Sequence, residues 1–365
     1  MEQVDQCHME DIPAVAALHA KLFQGADAPP SEQLKSYYTR VFFHNPWYDE
    51  QLPSLVYRCG KRKVTGFIGV IPRVMTVNGG AITVAVAHRL MVDQQAGTPL
   101  AAVKLMKRFL SGPQELSLAD GANDLGRKFW EGMGGSTAYV YSMNWIRPLK
   151  PCSYAMSLLK KNKYLRPLAV ISWPLCQLAD VLASTARNSP FRIQPPPDHT
   201  VVEIDDKLLR HCIVELSKSC CLRPEYDVEN MRWIWDFIKS NKHRGELKGA
   251  AVYNADNLLT GAYLYYLNQR RICEVILLAA RNDSRDDVLD QLLTQASKQG
   301  AVCVFGRFEP KFTQSFWNRQ CLVKRGSWAL IHAKNAQLLN IINRGDAHIS
   351  GLEGELWLRS PRDIL

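Results

Sequence analysis

The sequence predicts an α/β (α+β) protein of two domains, each a mixed, twisted sheet flanked by helices. Three observations carry this reading. First, a chain of 365 residues with 47% apolar residues is too long for one ordinary hydrophobic core. Second, one order of helix, antiparallel strands, helix and strand is legible twice along it. Third, Pro195, Pro196 and Pro197 form a stiff spacer between the two copies. The expected division is therefore residues 1–150, a connector over 151–197, and residues 198–365.

In the first half, "DIPAVAALHAKLFQ" sets Ile12, Val15, Leu18, Leu22 and Phe23 near one helical face, with Asp11 placed to cap the first turn. "SLVYRC", "VTGFIGVIPRVM" and "AITVAVAHRLMV" follow as Val- and Ile-rich strands. The last two are joined by "VNGG", where Asn78 and Gly79 supply the positive φ of a tight hairpin. "DQQAGTP" is a loop with Pro99 at the first turn of the helix "LAAVKLMKRFL". The strand "ELSLAD", a helix from Asn123 to Met133, and the strand "STAYVYSMNWI" close the half.

The second half opens with helices near 206–219 and 228–240 and the strands "LKGAAVYN", "LLTGAYLYYL" and "RICEVILLAA". A helix "DDVLDQLLTQASKQG", the strand "AVCVFGRF", a helix near 313–319 and the strand "WALIHAK" complete it.

Net charge is +10, divided as +3 over residues 1–150, +5 over 151–195 and +2 over 196–365. Half the excess lies in the connector and not on a folded face with interleaved aromatics, so no nucleic-acid partner is expected. Within the connector Lys160, Lys161, Lys163 and Arg166 precede an apolar run from Pro167 to Ala183, broken by Pro174 and Asp180. That run falls short of the roughly 20 apolar residues a bilayer span needs. Two readings stand: a helix packed between the domains, or peripheral membrane contact through 160–184. The ten cysteines are scattered without CxxC pairs, and the adjacent Cys220 and Cys221 lack a second pair at metal-ligand spacing. Reduced thiols, no metal and a cytoplasmic location follow as expectations, with attachment at the inner face of the membrane as the second possibility.

Two local patterns narrow the class. Gln94, Gly97 and Pro99 fall at the offsets of a phosphate-binding loop between a strand and a helix, and Asn123, Gly126, Trp130, Gly134 and Gly135 fall at those of NxxAxxxYxxxGF. In this order they resemble the GNAT superfamily of acyl-CoA-dependent acyltransferases. Asn123 and Gly134 match outright, Gly126 and Trp130 are near substitutes, and Gly135 departs. The resemblance implies that "AHRLMV" and "ELSLAD" splay apart and admit a pantetheine arm bonded near Met91 and Val92. It implies a pyrophosphate over Gln95, Ala96, Gly97, Thr98 and Leu100, with Gln94, Asn123 and Trp130 completing the cofactor contacts. The donor would be acetyl-CoA or another acyl-CoA.

Two departures bear on chemistry. An indole cannot give up a proton near neutral pH, so Trp130 cannot replace the family's tyrosine as general acid. Pro99 removes one N–H donor from the loop, which Lys104, Lys107 or Arg108 would offset with charge. For a base, His88 on the splayed strand and Asp120 at its neighbour's end are the candidates.

The second half offers no glycine loop, and Asp283, Asp286, Asp287 and Asp290 would repel a pyrophosphate, so no conventional CoA site is expected there. Two such halves are also similar to Fem-type aminoacyltransferases and to exopolysaccharide-associated acyltransferases. That likeness implies an amine or hydroxyl acceptor on a glycan, lipid or cell-envelope precursor. The alternatives are a non-catalytic scaffold that binds an envelope enzyme or membrane surface, and a Fem-type enzyme using aminoacyl-tRNA. Arg307 and Glu309 are expected as a surface salt bridge, His332 as a satisfied sheet residue, and Glu353 and Glu355 as solvated carboxylates. No cysteine has an evident histidine partner.

Overall fold

The Asn78–Gly79 turn forms as its residues require, with φ of 50° and 89°. It joins the two longest strands, β3 (Lys63–Val77) and β4 (Gly80–Val92). The protein, a computed structural model, is described over residues 3–25, 29–60, 63–96, 100–159, 173–186, 189–196 and 198–358.

Preceding β3 are β1 (Gln3–Gln6) and β2 (Leu55–Cys59); β5 (Leu116–Ala122) and β6 (Ser136–Thr137) follow β4. Next come β7 (Met143–Pro148), β8 (Thr200–Glu203), β9 (Leu222–Pro224), β10 (Glu246–Tyr253), β11 (Leu259–Leu267) and β12 (Ile272–Ala280). The last strands are β13 (Cys303–Arg307), β14 (Leu322–Arg325) and β15 (Trp328–Ala333). Among the described residues the first sheet runs β1-β2-β3-β4-β5-β15-β6, with β9 on β3, and the second runs β14-β7-β13-β12-β11-β10-β8.

The sheets exchange strands. "STAYVYSMNWI" is not one strand: the chain leaves the first sheet after Thr137, turns through a 3-10 helix at Val140–Ser142, and enters the second as β7. The turn is held by Tyr141, whose hydroxyl donates to the Ala347 carbonyl at 2.6 Å, and by Ser142, whose hydroxyl donates to the Ala138 carbonyl at 2.8 Å. Reciprocally, β15 from the second half pairs with β5 and β6 in the first sheet.

The helices are α1 (Ile12–His19), α2 (Glu32–Phe42), α3 (Ala101–Leu110), α4 (Asp124–Gly132), α5 (Pro151–Leu159) and α6 (Trp173–Thr185), then α7 (Asp206–Leu216), α8 (Val228–Ser240), α9 (Arg285–Lys298), α10 (Thr313–Asn318) and α11 (Ala336–Asn343). Asp11 does not cap α1; its carboxylate accepts from His8 N–H at 3.0 Å and from Arg58 at 2.8 Å, tying the preceding turn to β2. The predicted helix over 11–24 also changes geometry, continuing beyond His19 as a π-helical turn, Ala20–Gln24.

The strands β3, β4 and β5 are buried on both faces because each face has its own cover. One carries Ile68, Val70 and Ala85 against Leu105 of α3 and Trp130 of α4. The other joins a cluster that runs from Val15 and Tyr38 through Phe67 and Ile71 to Leu264, Leu277 and Trp357, and so belongs to both sheets. The far face of the second sheet packs Val288, Leu289 and Leu292 of α9 and Phe316 of α10.

Candidate functional site

The parallel pairing of β4 with β5 stops at Val86↔Leu118, although β4 continues to Val92 and β5 to Ala122. The two strands therefore diverge into a wedge at their C-terminal ends. At the same level the register of β4 on β3 jumps from Gly69↔His88 to Phe67↔Met91, so two residues of β4, Arg89 and Leu90, face one of β3. This is a β-bulge, and Arg89 takes the left-handed conformation, φ 65°, that such an insertion demands.

The second sheet repeats the device. β12 and β13 pair in parallel only from Ile272↔Cys303 to Val275↔Gly306, and the register of β12 on β11 shifts at Ile276. That wedge is occupied by the chain itself. Gly351 N–H donates to the Ile276 carbonyl at 3.0 Å, and a Cβ on Gly351 would stand 2.8 Å from that oxygen. A segment of the C-terminal region thus lies where a ligand arm would otherwise add to the strand.

The same segment then reaches the first wedge. Glu355 Oε2 stands 2.6 Å from His88 Nδ1 on β4, and its Oε1 accepts from Gly121 N–H on β5 at 3.0 Å. Glu355 N–H donates to Asp120 Oδ1 at 2.7 Å, and the approach needs a glycine before it, since a side chain on Gly354 would collide with the Asp120 carboxylate. His88 Nε2 lies 2.7 Å from the Tyr37 hydroxyl of α2, which donates its own proton to the Leu358 carbonyl at 2.7 Å. With that proton committed, Nε2 is the donor in its bond to Tyr37, and Nδ1 donates to the carboxylate. The Nδ1–Glu355 contact is an ion pair when His88 carries both ring protons. Burial works to raise the Glu355 carboxyl, but the His88 hydrogen bond, the charges of His88 and Arg89 and the Gly121 N–H outweigh it and hold it below the usual range. Burial raises Tyr37 to about 12, so it keeps its proton.

The sequence-predicted residues fare differently. His88 is at the wedge, buried beneath the C-terminal segment. Asp120 is also there, but it is wholly buried and ion-paired to Arg307 at 2.9 Å, and its backbone carbonyl accepts from Arg307 and Ser327. Met91 and Val92 lie on β4 beyond the bulge. Gln94, Gln95 and Ala96 form a 3-10 turn, with Gln95 N–H bonded to the Asp93 carboxylate at 3.1 Å and Ala96 N–H to the Asp93 carbonyl at 3.2 Å. Asp93 is paired to Lys21 at 2.8 Å, which holds its carboxyl below the usual range. Gly97, Thr98 and Pro99 lie outside the described residues; Leu100 stands at the N-cap position of α3 without a side-chain capping bond. Asn123 is the N-cap of α4, accepting from Gly126 N–H at 2.8 Å. Trp130 is buried in the core with its indole N–H donated to the Ile331 carbonyl of β15 at 3.1 Å.

Several sequence expectations are corrected. Arg307 and Glu309 are buried, not a surface pair, and Arg307 reaches Asp120 in the other half. Glu353 is buried too, accepting from Tyr226 at 3.0 Å and from Ser350 at 2.6 Å, because the glycine-rich tail is packed between the sheets. Cys220 does have a histidine neighbour: although burial acts to raise the thiol, a hydrogen bond with His348 and the charges of His348 and Lys311 leave it below the ordinary value. Tyr37 was missed altogether; nothing in "SYYTR" distinguishes it before the fold brings α2 to His88. Cavities of about 520 Å³ beside Glu131, Tyr139 and Asn343 and about 480 Å³ beside Lys107, Met133 and His332 lie away from the wedge. Among the described residues no group of three metal-ligating side chains converges.

Over nine tenths of its length the chain shares a GNAT-like fold, mixed sheets flanked by helices, with solved structures. One is a probable N-acyltransferase of unknown function from Enterococcus faecalis V583, with TM-score 0.60 and 11% identity over 92% of this chain and 73% of that one. A GCN5-related N-acetyltransferase from Anabaena variabilis ATCC 29413 gives 0.59 and 10% over 92% and 74%. Another from Kribbella flavida gives 0.56 and 11% over 90% and 71%. At such identity the likeness is one of fold. No family model matches the chain, and no curated protein matches it.

Proposed function

We propose that the protein is an acyltransferase that moves an acyl group from acetyl-CoA or another acyl-CoA to an amine or hydroxyl, with the donor arm in the first wedge. The observation that carries this reading is the opening of β4 from β5 at the Arg89 bulge, with His88 and Glu355 joined across it. Residues 1–150 would supply the donor side and residues 198–365 the acceptor side. The donor arm would bond to β4 near Met91 and Val92, with pyrophosphate toward the start of α3.

Access to His88 requires the segment beyond Glu355 to move aside, which breaks the Tyr37 bond to the Leu358 carbonyl; His88 gives its Nε2 proton to solvent and stands neutral beside Glu355. Neutral His88 then takes the acceptor's proton as the N–C or O–C bond forms, the C–S bond breaks, and CoA leaves as thiolate and recovers that proton. Glu355 keeps the imidazolium oriented and charge-balanced, and strand N–H groups polarise the thioester carbonyl. Asp120 would act as a positioning residue through Glu355 N–H. A glycan, lipid or cell-envelope precursor as acceptor rests on the sequence resemblance to exopolysaccharide-associated and Fem-type enzymes.

A non-catalytic scaffold is the second reading, favoured by Trp130, whose only donor is bonded to β15, and by the C-terminal cover over His88. Thermal unfolding with acetyl-CoA and longer acyl-CoAs tests donor binding, since a ligand held by the native state must stabilise it. Release of free CoA thiol with amine and hydroxyl acceptors tests transfer. Stabilisation with no thiol release would favour the scaffold, and absence of any shift would overturn the donor site.

A further inference from the structure

The connector contains a helix pair turned inside out. Asp180 of α6 accepts from Cys152 N–H at 2.8 Å and from Ser153 N–H at 3.0 Å, and from the Ser153 hydroxyl at 2.5 Å. It thereby caps the start of α5 and pins the two helices together. With Asp180 turned inward, the opposite side of α6 faces solvent, and that side is apolar. Leu175, Leu178, Val181 and Leu182 are 70, 64, 58 and 69% exposed, and their spacing puts them on one face. At the far end of α5, Leu158 and Leu159 are 49 and 40% exposed.

A soluble helix ordinarily shows the reverse, so this face calls for a partner. Charge indicates which. Residues 151–195 carry +5, and their one acidic residue is Asp180, which is 4% exposed. The segment thus offers solvent no carboxylate. Lys160, Lys161, Lys163 and Arg166, between α5 and α6 in sequence, lie outside the described residues and enter only as charge. Among the described residues no helix is long and apolar enough to cross a membrane, so insertion along the surface is the mode such a face allows.

We propose that α5 and α6 dock the protein on an anionic lipid surface, with Leu175, Leu178, Val181 and Leu182 in the acyl boundary and the net positive charge of the connector favouring anionic headgroups. The proposal goes beyond the acyl-transfer reading and does not depend on it. It would set the protein beside amphiphilic acceptors or donors.

The test is co-sedimentation of the full chain with phosphatidylcholine vesicles, with and without phosphatidylglycerol, for the native protein and for the L175E/L178E/L182E variant. These positions are solvent-exposed, so circular dichroism and the unfolding temperature should be unchanged. Expected is binding to the anionic vesicles alone, lowered about tenfold in the variant and weakened by salt. A native chain that stays in the supernatant with anionic vesicles, or a variant that pellets as well as the native chain, overturns it. So does sedimentation velocity showing a native dimer that the variant abolishes without any vesicle binding, which would assign the face to a second copy.

Discussion

His88 on β4 and Glu355 in the C-terminal segment, 267 residues apart in sequence, stand 2.6 Å apart across the open end of the first sheet. The pair is held from both sides, by Tyr37 on the imidazole and by Gly121 N–H on the carboxylate.

The first prediction concerns that pair. Glu355→Gln keeps the shape and removes the charge that balances the imidazolium, so transfer should fall about 100-fold while the acyl-CoA-induced thermal shift persists. Stopped-flow thiol release alongside thermal unfolding measures both. A variant that transfers at the native rate removes Glu355 from the reaction.

A second prediction addresses how tightly the segment enters the second wedge. Gly351→Ala should destabilise by about 1–3 kcal/mol, because the new methyl would press on the backbone of β12. Gly132→Ala, at the end of α4 with open space around it, should be neutral or stabilising by up to about 1 kcal/mol. Urea unfolding of the two variants compares them directly; equal effects would mean the Gly351 contact is loose.

The third is a pH dependence. Burial, with the charges of Glu353 and Cys220, pushes the Glu309 carboxyl up to about 8 against His348 and Arg307. For His348, burial alone would lower the value, but the Cys220 hydrogen bond and the charges of Glu353, Cys220 and Glu309 raise it to about 9. Both folded-state values lie above the unfolded ones, so at these two groups the native state holds more protons, while the lowered Cys220 thiol acts in the opposite sense toward the alkaline end. Glu309's contribution is complete below about 4.5 and His348's below about 6.5, and they fade as pH rises through about 8 and about 9. Stability should therefore decline from pH 5 to pH 9, and Glu309→Gln should flatten the slope. A native slope that rises over that window would contradict the assignment.

A fourth prediction isolates the helix pair. Asp180→Ala leaves the first N–H groups of α5 without their cap and should cost about 1–2 kcal/mol. Protection of Cys152 and Ser153 amides against hydrogen exchange should fall first, and unchanged protection would show that other contacts hold the pair.

Local signals in the chain account for much of the fold. The Asn78–Gly79 hairpin, the strand–loop–helix after Val92 and the Asn123 cap all depend on residues close in sequence, whose φ preferences and capping chemistry act within a few positions. The exchange of β7 and β15 between sheets was not legible, because both are ordinary alternating strands and the 3-10 turn at Val140–Ser142 is stabilised by Ala347 and Ala329, far along the chain. Glu353 and Glu355 read as solvated for the same reason: a carboxylate in a glycine-rich tail looks free until the partners that bury it are known.

By itself the sequence determined the α/β class with mixed sheets flanked by helices, the strand on which His88 stands, and the basic, leucine-rich composition of the connector, all consequences of periodicity, turn chemistry and charge. Only the tertiary structure decided that the tail would thread both wedges, that Asp120 would be bound to Arg307 and Trp130 to β15, and that His88 would meet Glu355 and Tyr37. Those outcomes depend on long-range packing and on pairing buried polar groups, which no local pattern encodes.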